Sequence, residues 1–414
     1  MKLVEISPLD IEYNLVNLSQ VTFEVTDACN LRCKYCGFGE LYYGHDERNA
    51  VFMDFTMVKT VLDYLCDFWN KHNTTSGTPR TTISFYGGEP LLNMPLIKRT
   101  VDYIESISIN RKFQFSMTTN GMLLDKCMDY LVDKKFSLLI SLDGDREAHS
   151  YRITPTGDNS FDTLYSNITL LKKRHPHFFE QNVAFNAVLN DRSNIEKVFR
   201  YIKDTFGKIP TISRLNNSDI NPDKREAYKK ISSSIPDRPD LFRDAAFMED
   251  FFLQAPGMRE VLLYLYRFSG NTFEDYIDLF TDSDALSYLP TGVCSPFAKK
   301  MFVTVNGKII QCERINHSFA LGYVSGDTMN LDLNEAASKA NYYISKVFKQ
   351  CSGCAVKKSC YQCVYYIEGI ESERPVCQGY MNNNTFEHYK KCIYAVLSKD
   401  SKLYKKLMTE VLYN

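Results

Sequence analysis

Three cysteines fall within one short stretch, TDACNLRCKYCGFGELYYG, at Cys29, Cys33 and Cys36, spaced C-x3-C-x2-C. Thiols this close can ligate one compact metal cluster. Thiolate metal sites usually take four ligands, so the group stands one short. A zinc site would need a second C-x2-C or a pair of histidines at a defined distance, and neither follows in this part of the chain. Towards the other end lie Cys294, Cys312, Cys351, Cys354, Cys360, Cys363, Cys377 and Cys392. Two C-x2-C pairs among them are separated by five residues, where a zinc ribbon would use about 15–20. Cys66 and Cys127 sit in apolar, helix-like settings and read as buried small hydrophobes.

Other polar groups recur at places where strands end. Apolar, β-branched runs occur at 20–27, 82–86, 113–118, 136–142, 183–189 and about 209–213, and helix-like patterns at 54–69, 95–108, 121–133, 159–173 and 192–206. Strands that alternate with helices read as βαβ units on a parallel sheet. Six such units predict an open, partial (β/α)6 barrel rather than a closed eight-stranded one. The first strand runs into the cysteine loop, the second into GGEP (Gly87 to Pro90), the third into TTNG (Thr118 to Gly121) and the fourth into SLDGD (Ser141 to Asp145). In parallel α/β folds the loops at the carboxyl ends of strands form the active site, so these four stretches are expected to face one cavity.

The expected organisation is an N-terminal segment over 1–19, the barrel over 20–213, a mostly helical insertion over 214–290, a small Cys-rich domain over 291–400 and the end of a C-terminal helix over 401–414. The chain has 414 residues, 44% of them hydrophobic, with 49 Lys and Arg against 50 Asp and Glu. That balance creates no global field for nucleic acid or anionic membrane. No apolar run is long enough to span a membrane, and the start MKLVEISPLDIEYN lacks a signal-peptide core. A cytoplasmic address follows, where thirteen cysteines serve more often as metal ligands than as disulfides.

Together these motifs resemble the radical S-adenosylmethionine (radical SAM) enzymes, whose signature is C-x3-C-x2-C with an aromatic before the last cysteine, here Tyr35. The resemblance implies that Cys29, Cys33 and Cys36 hold a [4Fe–4S] cluster whose fourth iron is left for S-adenosylmethionine. The cofactor would be cleaved by one electron to a 5′-deoxyadenosyl radical that takes a hydrogen atom from an inert substrate. It further implies that Gly87, Gly88 and Glu89 approach the methionyl ammonium, that Ser141 meets the ribose and Arg152 the methionyl carboxylate, and that Thr118 and Asn120 offer short polar contacts. Asn186 faces either the core or the cofactor. For Asp143 and His149 a solvated loop position is the alternative to a role in the site.

The second cysteine region resembles the SPASM domain, a carboxy-terminal extension of radical SAM enzymes. The match runs through Cys294, Gly307, Cys312, then CSGCAVKKSCYQC and Cys377, with one departure, an x2 spacing between Cys360 and Cys363 where the pattern has x3. The resemblance assigns one auxiliary [4Fe–4S] cluster to Cys351, Cys354, Cys360 and Cys377 and a second to Cys294, Cys312 and Cys363, making three clusters in all. The second set is again one short: Cys392, a non-cysteine group or an open iron would complete it, since the position that supplies a thiolate in some relatives is Lys300. Glu313 follows Cys312 where sulfatase-maturing enzymes carry a basic Asp, so it is either a catalytic base or a Glu salt-bridged beside Arg314.

A SPASM-type enzyme implies a peptide substrate. The expected function is maturation of a ribosomally made precursor peptide (a RiPP) by an oxidative thioether, carbon–carbon or ether crosslink, with anaerobic sulfatase maturation as the alternative and a non-catalytic iron–sulfur carrier or zinc-stabilised binding protein as rivals. The partners expected are the precursor peptide and an electron donor such as flavodoxin or ferredoxin. Only some twenty residues precede the first strand, so the leader would be bound elsewhere, by the insertion, a separate protein or a sheet edge.

Overall fold

The computed structural model describes residues 5–72, 74, 79–232, 261, 262, 264, 265, 294–357, 360, 362–399 and 401–411. Of the insertion expected over 214–290, most lies outside them. The chain divides into two compact units: one is Ser7–Ser234 with Ser295–Ala337, the other Met1–Ile6, Ile235–Cys294 and Ser338–Asn414. Residues 295–337 thus join the barrel unit, at variance with the division expected from sequence texture.

In the first unit β1 (Gln20–Thr26), β2 (Arg80–Gly87), β3 (Lys112–Thr119), β4 (Ser137–Ser141), β5 (Val183–Val188) and β6 (Thr211–Ser213) lie side by side in chain order and pair in parallel. Between them run α2 (Phe55–Lys71), α3 (Met94–Ser106), α4 (Leu124–Asp133), α5 (Phe161–Arg174), α6 (Pro176–Asn182) and α7 (Ile195–Phe206). This is the partial (β/α)6 barrel read from the sequence. The predicted helices reappear in α2, α3, α4, α5 and α7. Each carries apolar residues three or four apart, such as Val61, Leu62 and Leu65 in α2 and Val198, Phe199 and Ile202 in α7, and buries them.

Two elements extend the pattern. Ahead of β1 stands α1 (Pro8–Val16), opened by a Ser7–Asp10 capping box and docked by the Trp69 indole N–H, which donates to the Leu15 carbonyl at 2.8 Å. On the far side of β1, β7 (Met301–Val303) pairs in parallel with it and leads into an antiparallel meander, β8 (Lys308–Ile310), β9 (Gly322–Ser325) and β10 (Thr328–Asn330). These short strands carry no alternation long enough to be read from sequence.

The sheet has two chemically distinct faces. Ile83, Phe85, Phe115, Met117, Leu138, Ile140, Val183 and Phe185 are buried on the helix side. Their neighbours Tyr86, Ser116, Thr118, Leu139, Ser141, Asn186 and Val188 are half-buried on the other. Register aligns this second set across strands: Ser84 with Ser116, Thr118 with Leu139, Ser141 with Asn186, Val188 with Ser213. A polar face kept open on the inner side of the sheet, at its carboxyl ends, is where a site can form.

The second unit holds most of α9 (Leu333–Ser352), α10 (Asn383–Lys399) and α11 (Ser401–Lys406). Between α9 and α10 the described chain is largely irregular and carries Cys354, Cys360, Cys363 and Cys377. Before β7, α8 (Arg225–Ile231) closes the first part of the barrel unit. No described helix is long and apolar enough to cross a membrane.

Candidate active site

The end of β2 is stitched to the cysteine loop by two backbone bonds, from the Gly88 N–H to the Thr26 carbonyl and from the Glu89 N–H to the Ala28 carbonyl, both at 2.9 Å. Gly87 takes φ +140°, and a Cβ there would stand 2.1 Å from the Thr26 oxygen; one on Gly88 would stand 2.1 Å from the Ala28 oxygen. The double glycine therefore lets β2 lie directly on the backbone that leads to Cys29. Further along, the Arg32 N–H donates to the Ile153 carbonyl at 2.7 Å and the Lys34 N–H to the Tyr151 carbonyl at 3.0 Å. The loop after Cys36 is clasped by the start of the insertion: Tyr43 N–H donates to the Asp219 carbonyl, Tyr42 Oη to the Asn216 carbonyl, both at 2.9 Å, and Lys224 pairs with Glu40 at 2.8 Å.

Cys29 Sγ accepts the Leu31 N–H at 3.4 Å and Asn120 Nδ2 at 3.8 Å. Burial pushes the Cys29 thiol up to about 11 and Cys33 up to about 12, and negative charge on any of the three cysteines would repel the others. Three thiolates in such a place require concentrated positive charge, so the donor set suits a multi-iron cluster. Among the described residues no three His, Cys, Asp or Glu side chains gather around a single ion; the thiolates of a cluster stand on separate irons.

Glu89 is buried, and its carboxylate accepts from Leu91 N–H at 3.1 Å, Thr119 Oγ1 at 2.6 Å and Asn120 N–H at 2.7 Å. All three donors are neutral. Burial still lifts the group to about 7 against their pull, and a cation delivered beside it would restore its charge. Thr119, one position after the Thr118 expected from sequence, is the threonine that reaches Glu89. Strand alternation turns Thr118 onto the half-buried face and Thr119 towards Glu89.

Asp143 and His149 are both fully buried, which settles their alternative of solvated loop positions. Asp143 receives Arg152 through Nε on Oδ2 and Nη2 on Oδ1, each at 3.0 Å, together with the Val188 N–H at 2.9 Å and the Tyr35 hydroxyl. Burial pushes the Asp143 carboxyl up, and Arg152, His149 and Tyr35 more than offset it, holding it below the usual carboxylate range. His149 Nδ1 accepts the Asp143 N–H at 3.3 Å and its Nε2 meets Ser160 Oγ at 3.1 Å. Burial drives this imidazole down to about 4. Arg152 also stands near the Cys33 thiol, where its charge favours the thiolate.

Thr118, Ser141 and Asn186 occupy the half-buried face, Ser141 and Asn186 as direct register partners. Asn186 Oδ1 accepts Ser213 Oγ at 2.9 Å. Glu313 lies in the same unit. Burial would raise its carboxyl, but Lys300 outweighs that and holds it below the usual range, with Nζ 2.9 Å from Oε2. Arg314, the partner foreseen from sequence, is farther, at 3.9 Å.

In the other unit Cys351, Cys354, Cys360 and Cys377 line one recess with Gln350 and Tyr380. Cys377 N–H donates to Gln350 Oε1 at 2.8 Å, and the N–H groups of Gln362 and Met381 point at the Cys360 and Cys354 sulfurs at 3.4 and 3.5 Å. Burial and the three neighbouring thiols push Cys351 up to about 12, so this set too suits a cationic cluster. Cys294 and Cys363 both lie close to the Tyr365 phenol. Cys392 is exposed on α10, with His388 Nε2 3.8 Å from its sulfur. Cys312 belongs to the barrel unit, beside Glu313.

The Radical SAM superfamily profile matches residues 23–204. A cysteine-type anaerobic sulfatase-maturating enzyme of Clostridium novyi is 22% identical over 338 residues, 78% of this chain and 81% of that protein. The radical SAM cyclopropyl synthase TigE of Paramaledivibacter caminithermalis is 27% identical over 184 residues, 42% of this chain and 36% of its own length. Among solved structures, anSMEcpe with bound AdoMet and Cp18Cys peptide superposes with a TM-score of 0.62 at 17% identity, covering 94% of this chain and 98% of that one. Residues 23–204 are therefore a radical SAM domain, which implies a [4Fe–4S] cluster and S-adenosylmethionine.

Proposed function

We propose that this radical SAM enzyme is a cytoplasmic peptide maturase that takes hydrogen from a ribosomally made precursor peptide and installs an oxidative thioether, carbon–carbon or ether crosslink. The observation that carries the reading is the meeting, at the strand ends, of three half-buried thiols, a buried carboxylate ringed by neutral donors and an arginine. Cys29, Cys33 and Cys36 would hold the cluster, Glu89 the methionyl ammonium and Arg152 the methionyl carboxylate, with Ser141 and Asn186 placed for the ribose side. When bound, the cluster and S-adenosylmethionine supply a 5′-deoxyadenosyl radical at this site. The protein's part is to orient the cofactor through Glu89, Asn120 and Arg152, and to keep the thiols out of bulk water.

Cys351, Cys354, Cys360 and Cys377 would hold one auxiliary cluster of a SPASM-type domain, and the sequence pattern alone assigns the ligands of a second. Glu313, kept ionised by Lys300, is the group available to receive a substrate proton. The peptide class is supported by the AdoMet-bound and peptide-bound solved neighbour. A crosslink, in particular, is supported by TigE, whose name describes formation of a new carbon ring. The Clostridium novyi relative favours a second reading, sulfatase maturation, because its similarity extends over most of this chain.

The deciding experiment uses anaerobically reconstituted protein with dithionite, S-adenosylmethionine and candidate peptides. Formation of 5′-deoxyadenosine together with a peptide two hydrogens lighter per crosslink supports the first reading. A formylglycine product from a sulfatase peptide would establish the second. Fully iron-loaded protein that makes no 5′-deoxyadenosine would defeat both.

A further inference from the structure

Asp143 accepts four hydrogen bonds from described residues of the barrel unit. Its Oδ1 accepts Arg152 Nη2 at 3.0 Å and the Val188 N–H at 2.9 Å; its Oδ2 accepts Arg152 Nε at 3.0 Å and the Tyr35 hydroxyl. These donors come from three places: the residue before Cys36, the end of the short helical turn after β4, and the end of β5. The carboxylate is closed to solvent, with Asp143 fully buried, while Tyr35 and Arg152 keep only a small exposed fraction.

A guanidinium has five N–H donors on a rigid plane. Asp143 occupies one edge, that of Nε and Nη2. One N–H of Nη1 and the second of Nη2 form the next edge, and the N–H groups of Nη1 make no hydrogen bond among the described residues. One arginine can therefore be clamped by a resident carboxylate on one edge while it meets an arriving carboxylate on the next. The Tyr35 ring, with the Arg152 guanidinium 5.4 Å from its centroid, fixes this plane relative to Cys36.

We propose that Asp143 is a positioning residue for S-adenosylmethionine, holding the Nε–Nη2 edge of Arg152 so that the next edge receives the methionyl carboxylate, with the Tyr35 hydroxyl tying that orientation to the cysteine loop. This rests on the reading of Arg152 given above. It makes a prediction that reading alone does not: removing a group that never touches the cofactor weakens its binding, and does so only through Arg152.

The test measures S-adenosylmethionine binding to the full reconstituted chain by anaerobic equilibrium dialysis. The change that the cofactor causes in the EPR signal of the reduced cluster is followed in parallel, with iron content and melting temperature determined for each variant. Asp143→Asn is expected to weaken binding about tenfold and Tyr35→Phe about threefold, at wild-type iron content. The Asp143→Asn/Arg152→Lys double variant should bind no more weakly than Arg152→Lys alone. Wild-type affinity in iron-loaded Asp143→Asn overturns the proposal, as do effects of Asp143→Asn and Arg152→Lys that simply multiply. Should Asp143→Asn fail to fold, unchanged affinity in Tyr35→Phe overturns it instead. A wild-type protein whose cluster signal ignores S-adenosylmethionine refutes the parent reading, a result distinct from any of these.

Discussion

Lys300 places its ammonium 2.9 Å from Oε2 and 3.2 Å from Oε1 of Glu313. The pair is only partly exposed, so removing either partner leaves the other charge poorly solvated. Replacing Lys300 by Met should leave a half-buried carboxylate uncompensated and cost about 1–3 kcal/mol in chemical denaturation. Lys300→Arg should recover most of that loss.

Glu313→Gln separates the two halves of the reaction. If Glu313 takes the substrate proton, the variant continues to form 5′-deoxyadenosine while modified peptide falls by about 100-fold or more. Equal retention of both products, measured by mass spectrometry in one assay, would remove Glu313 from the chemistry.

Changing Cys29, Cys33 and Cys36 together to Ala should abolish 5′-deoxyadenosine. The iron that remains should be that of the auxiliary clusters, about two thirds if all three are four-iron clusters. Loss of all the iron would speak against separate sites.

Gly88→Ala forces a methyl group to within 2.1 Å of the Ala28 oxygen. Relief requires β2 and the cysteine loop to part, breaking the bonds at Thr26 and Ala28. A loss of about 2–4 kcal/mol is expected, with reduced iron uptake at equal protein. A variant with wild-type melting temperature and iron content would show that the close packing is dispensable.

His149 makes stability depend on pH. Unfolded, its imidazole binds a proton near 6.5; folded, it stays neutral down to about 4. Between those values the unfolded chain binds more protons, so the contribution of the site is present above 6.5 and is lost as pH falls towards 4. The loss amounts to about 3 kcal/mol. Denaturation of the iron-free protein at pH 7, 5.5 and 4.5 should show a shallower pH dependence for His149→Gln than for wild type.

Much of the barrel was legible because its code is local. Alternating strand and helix periods, with Gly, Asn and Asp after each strand, mark the units one at a time, and the six strands stand where the apolar runs lie. Partnerships across the chain were not legible. Nothing near SLDGD says that Asp143 will be reached by Tyr35 from 108 positions earlier in the chain, or that GGEP owes its glycines to the carbonyls of Thr26 and Ala28. Lys300 was noticed only as a cysteine that is absent. Its salt bridge with Glu313 depends on β7 and β8 folding back, which strands of three residues do not announce. The capping box of α1, Ser7 with Asp10 around a proline at the first helical position, lies in a segment expected only as an N-terminal stretch over 1–19.

The pairing of β1 with β7 has a consequence for synthesis. Val21 meets Ile83 on one edge early, but its other neighbour, Met301, is made far later. At about 5–20 residues per second, a ribosome leaves that edge bare for on the order of 15–60 s. Throughout that interval the thiols of the adjoining loop already exist on a nascent chain whose central strand is half paired. The newborn protein is thus open to iron delivery, and to oxidation or strand-to-strand aggregation, before its barrel unit can close.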